Sequence, residues 1–129
     1  AGVSVAEASR LMAKRRIGAL PVIAGARLSG IVTERDVLFK VVAEGRDPAA
    51  TAVSDIMTAN PDTVTPDSLA SDALERMHSG GYRHLPVLDG DRLIGIVSIR
   101  DLYAAIKVEL EEGIQEREAF IAGSGYGAG

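Results

Sequence analysis

The chain has 129 residues, 47% of them hydrophobic and 25% charged, with a formal net charge of −4. That is the composition of a folded globular protein, and its acidic balance removes any general electrostatic drive toward nucleic acid or anionic membranes. There is no cysteine, which excludes disulfides, thiolate metal sites and cysteine nucleophiles, and no apolar run approaches the roughly 18 residues of a membrane span. A soluble, cytoplasmic protein is the default expectation, either one domain or two small halves sharing a core.

Taken in order, residues 3–17 read as a helix, with Val5, Ala8, Leu11 and Met12 on one stripe. Lys14-Arg15-Arg16 suits its C-terminus as a solvated basic end, and Gly18 is the expected stop. Ala19–Ile23 follows as a short strand whose Pro21 places it at a sheet edge or strand start. The turn Ala24–Arg27 makes a hairpin with Leu28–Val32, and a second helix carries Val37, Leu38, Val41 and Val42.

The pattern then restarts. Thr63-Val64-Thr65 is a short β segment between prolines, and Leu69, Ala73, Leu74 and Met77 form a helical stripe broken by Gly80-Gly81. Leu85–Leu88 and Leu93–Val97 make a second hairpin, and Leu102, Tyr103, Ile106 and Leu110 stripe a closing helix. Residues 28–36 and 93–101 are identical at six of nine positions, an offset of 65 residues (101 − 36), so the chain is an internal repeat. The division by sequence is 1–46 for the first repeat, 47–54 for a linker, 55–112 for the second repeat and 113–129 for a tail. The counterpart of the segment 54–66 would precede residue 1. The first copy is therefore expected to lack its leading strand, and the chain to be a piece of something longer.

The repeated stretch ends in a hydroxyl residue and an Arg-Asp pair: Thr33, Arg35 and Asp36, then Ser98, Arg100 and Asp101. One explanation is helix capping, with Thr33 and Ser98 as N-caps and the aspartates closing a capping box. Capping alone leaves two features unexplained. The box prefers Glu or Gln, and an arginine in a first helical turn opposes the macrodipole. The other explanation is nucleotide binding, with the N–H groups and the arginine seating phosphate and the aspartate accepting from a ribose diol. Residue spacing leaves both open.

The sequence Gly-Ala-Leu-Pro-Val (18–22) with Gly-Ile-Val-Thr-Glu-Arg-Asp (30–36) is matched by Arg-His-Leu-Pro-Val (83–87) with Gly-Ile-Val-Ser-Ile-Arg-Asp (95–101). Together with Asp55-Ile56-Met57-Thr58, these motifs resemble the tandem CBS domain pair, named for cystathionine β-synthase, over about residues 3–112. The resemblance implies an α+β fold of tandem β-α-β-β-α repeats, packed through their sheets into one pseudo-two-fold module, and commonly a homodimer. It implies a non-catalytic sensor that binds an adenine nucleotide between repeats and controls an attached or partner protein. AMP comes first, with ADP, ATP, NAD or S-adenosylmethionine as alternatives, and no cofactor is required. A ligand-free interaction module is the other class.

By the same resemblance, Thr33 and Asp36 form one hydroxyl–ribose pair and Ser98 and Asp101 the other, with Arg35 and Arg100 near phosphate. Ala19, Leu20 and Pro21, and His84, Leu85 and Pro86, line the base, and Arg83 beside them belongs to the nucleotide-binding set. Thr63 and Val64 supply the leading strand of the second site. His78 reads as a solvated helix end, the two histidines show no metal spacing, and no nucleophile–base set can be named, so neither a metal nor catalysis is expected. Glu109, Glu111 and Glu112 read as a solvated face, and Phe120, Ile121 and Tyr126 in the tail as contacts to a dimer partner.

Overall fold

The computed structural model describes residues 2–111, with side chains through Lys107, and divides into two compact units at Pro61/Asp62. The readings made for Leu110, Glu109, Glu111, Glu112 and the tail lie outside these described residues and side chains. Each unit is α+β.

In the first unit, helix α1 (Val5–Arg15) starts from a capping box in which Ser4 Oγ accepts from the Glu7 N–H at 3.1 Å and the Glu7 carboxylate faces the Ser4 N–H. Its next orphan donors are also satisfied: the Val5 N–H reaches the Thr51 carbonyl at 2.8 Å and the Ala6 N–H that of Pro48 at 3.0 Å. The stretch 47–54 is therefore bound against the helix start, and Thr51 is buried. Val5, Ala8 and Met12 face the core, but Leu11 is exposed. At 100° per residue it lies about 90° from the centre of their stripe. The helix also ends earlier than Gly18, because Arg16 takes the left-handed cap conformation at φ 55°.

Strands β1 (Ala19–Ala24), β2 (Arg27–Thr33) and β3 (Thr58–Ala59) form an antiparallel sheet in that order, which leaves Pro21 on the edge strand β1. Helix α2 (Glu34–Val37) widens into a π-helical turn (Leu38–Val42). Val41 is fully buried there, whereas Leu38 and Val42 are exposed. Each follows a core-facing residue by one position, about 100° around the axis.

Val53, Ile56 and Met57 pack with Val5, Ala8, Val22, Val32 and Val41, and β3 completes the first sheet. So residues 55–61, grouped with the second copy by the sequence repeat, pack in the first unit. Gly30 permits this approach: a Cβ there would lie 2.7 Å from the Thr58 carbonyl oxygen and 2.6 Å from Met57 Sδ.

In the second unit, helix α3 (Ala70–Gly80) ends at Gly81, with φ 73°. Strands β4 (His84–Asp89) and β5 (Arg92–Ser98) form a hairpin that leads into helix α4 (Ile99–Glu111). The leading β segment is a single parallel bridge. The Val64 N–H donates to the Pro86 carbonyl at 3.0 Å, and the Val64 carbonyl accepts from the Leu88 N–H at 2.8 Å. A proline fits between them because the bridge asks only for its carbonyl. Val64, Ala70, Ala73, Met77, Leu85, Val87, Val97 and Leu102 make the core. Tyr103, expected on the inner stripe of α4, is instead exposed.

Both hairpins carry a bulge at the same repeat position, between Val22 and Ile23 and between Val87 and Leu88. An irregularity that recurs at an offset of 65 belongs to the repeat rather than to chance.

Candidate functional site

Hairpin register brings the predicted residues of each copy together. Ala19 pairs with Thr33, Leu20 with Val32 and Pro21 with Ile31; His84 pairs with Ser98, Leu85 with Val97 and Pro86 with Ile96. The helix start is tied to the same place. The Glu34 N–H donates to the Gly18 carbonyl at 2.9 Å and the Ile99 N–H to the Arg83 carbonyl at 2.9 Å. Thr63 and Val64 join the second cluster through the bridge beside Pro86, and the Thr63 carbonyl accepts from Arg76 Nη1 at 3.0 Å. Within each copy, the Pro-bearing strand and the hydroxyl-x-x-Asp turn are therefore neighbours.

Burial sorts what each residue can offer. Ala19, Val64, Leu85 and Pro86 are buried, and Val64 and Leu85 belong to the core cluster, so a base resting here meets little of their side chains. Leu20, Pro21, Thr63 and His84 are half-buried and remain accessible, and Arg35, Arg83 and Arg100 are exposed.

The capping explanation holds in both copies. Thr33 Oγ1 accepts from the Asp36 N–H at 3.2 Å, and Asp36 Oδ2 accepts from the Thr33 N–H at 2.9 Å. Ser98 Oγ accepts from the Asp101 N–H at 3.2 Å, and Asp101 Oδ2 from the Ser98 N–H at 3.0 Å. This corrects the picture of an open phosphate seat. Of the four N–H groups that a helix start leaves over, those of Thr33, Glu34 and Asp36 have partners, as do those of Ser98, Ile99 and Asp101. Among the described residues, the Arg35 and Arg100 N–H groups are the ones left over at the two helix starts.

Beyond this shared frame the copies differ. Asp36 Oδ2 also accepts from Thr33 Oγ1 at 3.1 Å, Asp36 Oδ1 lies 3.1 Å from Lys40 Nζ, and Lys40 Nζ donates to the Ile56 carbonyl at 2.9 Å. The Arg35 guanidinium lies over the Phe39 ring, 5.1 Å from its centroid. The positions equivalent to Phe39 and Lys40 in the second copy are Ala104 and Ala105. The sequence reading did not mark Lys40 or Phe39 as part of this site. The i, i+4 spacing of Asp36–Lys40 and Arg35–Phe39 was the available signal.

A second cluster was also missed. The Tyr82 hydroxyl donates to Asp62 Oδ2 in a short hydrogen bond. Burial, then this bond and the Asp62 charge, push the Tyr82 phenol up to about 12, with Arg76 acting in the opposite direction. His78 is exposed, and among the described residues no group of His, Cys, Asp or Glu could hold a metal. No described helix is long and apolar enough to cross a membrane.

Comparison with known proteins places this geometry. The CBS domain family model matches residues 1–43 and 53–108. The chain is 44% identical over 138 aligned residues to the CBS domain-containing protein CBSCBSPB3 of Arabidopsis thaliana, covering 98% of this chain and 25% of that protein. The chain thus spans about a quarter of that relative's length. A protein with CBS domains from Burkholderia ambifaria superposes with a TM-score of 0.77 at 43% identity, covering 88% of this chain and 80% of the other. The CBS domain protein PAE2072 from Pyrobaculum aerophilum, solved in complex with AMP, superposes with a TM-score of 0.76 at 29% identity, covering 88% and 87%. CBS-domain proteins are typically non-catalytic regulatory modules. On the strength of both repeats, the chain belongs to the CBS domain family.

Proposed function

We propose that the chain is a regulatory module that binds an adenine nucleotide, AMP foremost, and passes that signal to an attached or partner protein. The observation that carries this reading is the convergence of Arg83–Pro86, Thr63–Val64 and Ser98–Asp101 at one end of the second unit. It joins a half-buried strand surface for a base, a carboxylate for a ribose diol and two exposed arginines for phosphate. The AMP complex of the Pyrobaculum relative supports the choice of ligand class. ATP, NAD and S-adenosylmethionine share the adenosine part and compete for the same description. A ligand can shift a partner only as far as its affinity differs between the two states of the module.

The module works as a homodimer in this proposal. Leu38, Phe39, Val42 and Tyr103 are large apolar side chains at 53–64% exposure, and covering such residues is what a subunit contact does. The second reading, an interaction module without ligand, draws on the capping boxes, which give both aspartates a structural role. Calorimetric titration of the folded protein with AMP, ATP, NAD and S-adenosylmethionine separates the two. Heat with at least one supports the sensor; its absence with all four leaves the interaction module.

A further inference from the structure

The two copies share a motif but present their aspartates differently. A carboxylate has about four acceptor positions. Asp36 has three of them engaged, by the Thr33 N–H, the Thr33 hydroxyl and the Lys40 ammonium, and its side chain is 12% exposed. A ribose diol brings two hydroxyl donors, and one position is left. Lys40 is itself anchored on the other side by the Ile56 carbonyl, so it does not swing away without losing a second contact. Arg35, the phosphate candidate of this copy, stacks on Phe39. In the second copy Ala105 and Ala104 stand at the two positions and carry no donor and no ring. No side chain one turn along α4 can therefore neutralise Asp101, and nothing at position 104 can hold Arg100.

We propose that Lys40 is a built-in counter-ion that stands in for a ligand at Asp36, so that the chain takes a single nucleotide, at Ser98–Asp101. The first copy keeps its hydroxyl-x-x-Asp turn as a structural clasp joining α2 to the segment around Ile56. Two residues, Lys40 and Phe39, make that difference, and their alanine counterparts mark the copy that binds.

This rests on the nucleotide reading above, and one set of titrations tests both. AMP is titrated calorimetrically into the natural chain and into Asp36→Asn, Asp101→Asn and Lys40→Ala, each verified as folded by circular dichroism. One AMP per chain is expected for the natural protein and for Asp36→Asn. Asp101→Asn weakens binding by at least about tenfold, the consequence of losing a charged acceptor. Lys40→Ala, which frees Asp36 without touching the cap, gains a second and weaker binding event. Two equal sites in the natural chain, or loss of binding in Asp36→Asn but not in Asp101→Asn, overturns the assignment while leaving the nucleotide reading intact. A Lys40→Ala protein that still takes one AMP overturns the role given to Lys40. No heat from any of the four folded proteins with AMP, ATP, NAD or S-adenosylmethionine overturns the nucleotide reading itself, and the assignment with it.

Discussion

Arg16 closes α1 at φ 55°, where the second copy closes α3 with Gly81 at φ 73°. A side chain in the left-handed region costs roughly 1–2 kcal/mol, part of which glycine returns as chain entropy in the unfolded state. Arg16→Gly is therefore expected to stabilise the fold by about 1 kcal/mol, read as a higher denaturant midpoint with an unchanged slope. Tyr82 makes a second prediction at this scale. Its folded-state pKa is raised from 10.0 to about 12. The native state keeps the phenol proton where the unfolded chain has lost it. The contribution is thus complete below pH 10 and disappears as pH rises toward 12. Absorbance titration of tyrosinate should show Tyr82 ionising late, and Asp62→Asn should lower its midpoint.

At the level of elements, the hairpins were legible because short apolar runs, a glycine in each turn and a doubled Gly-Ile-Val ending agree with one another. The Pro21 edge position followed from the missing N–H, and β1 is indeed the sheet edge. Helix faces were read less well. Leu11 and Tyr103 were placed on inner stripes on hydrophobicity, yet both are exposed. A one-residue step turns a helix by about 100°, and hydrophobicity alone does not say which of two adjacent apolar residues faces in. The packing of Val53, Ile56 and Met57 with the first unit was invisible for a different reason. Residue similarity marks descent of the repeat, whereas packing follows contacts such as Met57 and Thr58 against Gly30. Gly30→Ala puts a methyl into a backbone carbonyl that cannot swing aside. A loss of about 1–3 kcal/mol is expected in chemical unfolding, the usual range for overpacking.

For the molecule as a whole, two small cores carry the stability, and the second is closed by Leu85 and Leu102, 1% and 0% exposed. Leu102→Ala is expected to cost about 2–5 kcal/mol, a large share of what a protein of this size has to lose. Sedimentation equilibrium should give twice the 13.5 kDa chain mass, and Leu38→Glu should shift the population to monomer. A monomeric natural chain would contradict the dimer proposal. The candidate site was half legible: the sequence marked the aspartates and their strands, but not that Asp36 is also held by Lys40, because that depends on where Lys40 and the Ile56 carbonyl lie in space.

The account turns on Ser98–Asp101 as the place where a nucleotide sits. An amide-resolved NMR titration with AMP addresses it most directly. The predicted result is shifts at Thr63, Arg83, His84 and Ser98 to Asp101, with Thr33 to Asp36 unmoved. Shifts centred on Thr33–Asp36 would contradict it, as would none at any amide with AMP, ATP, NAD or S-adenosylmethionine.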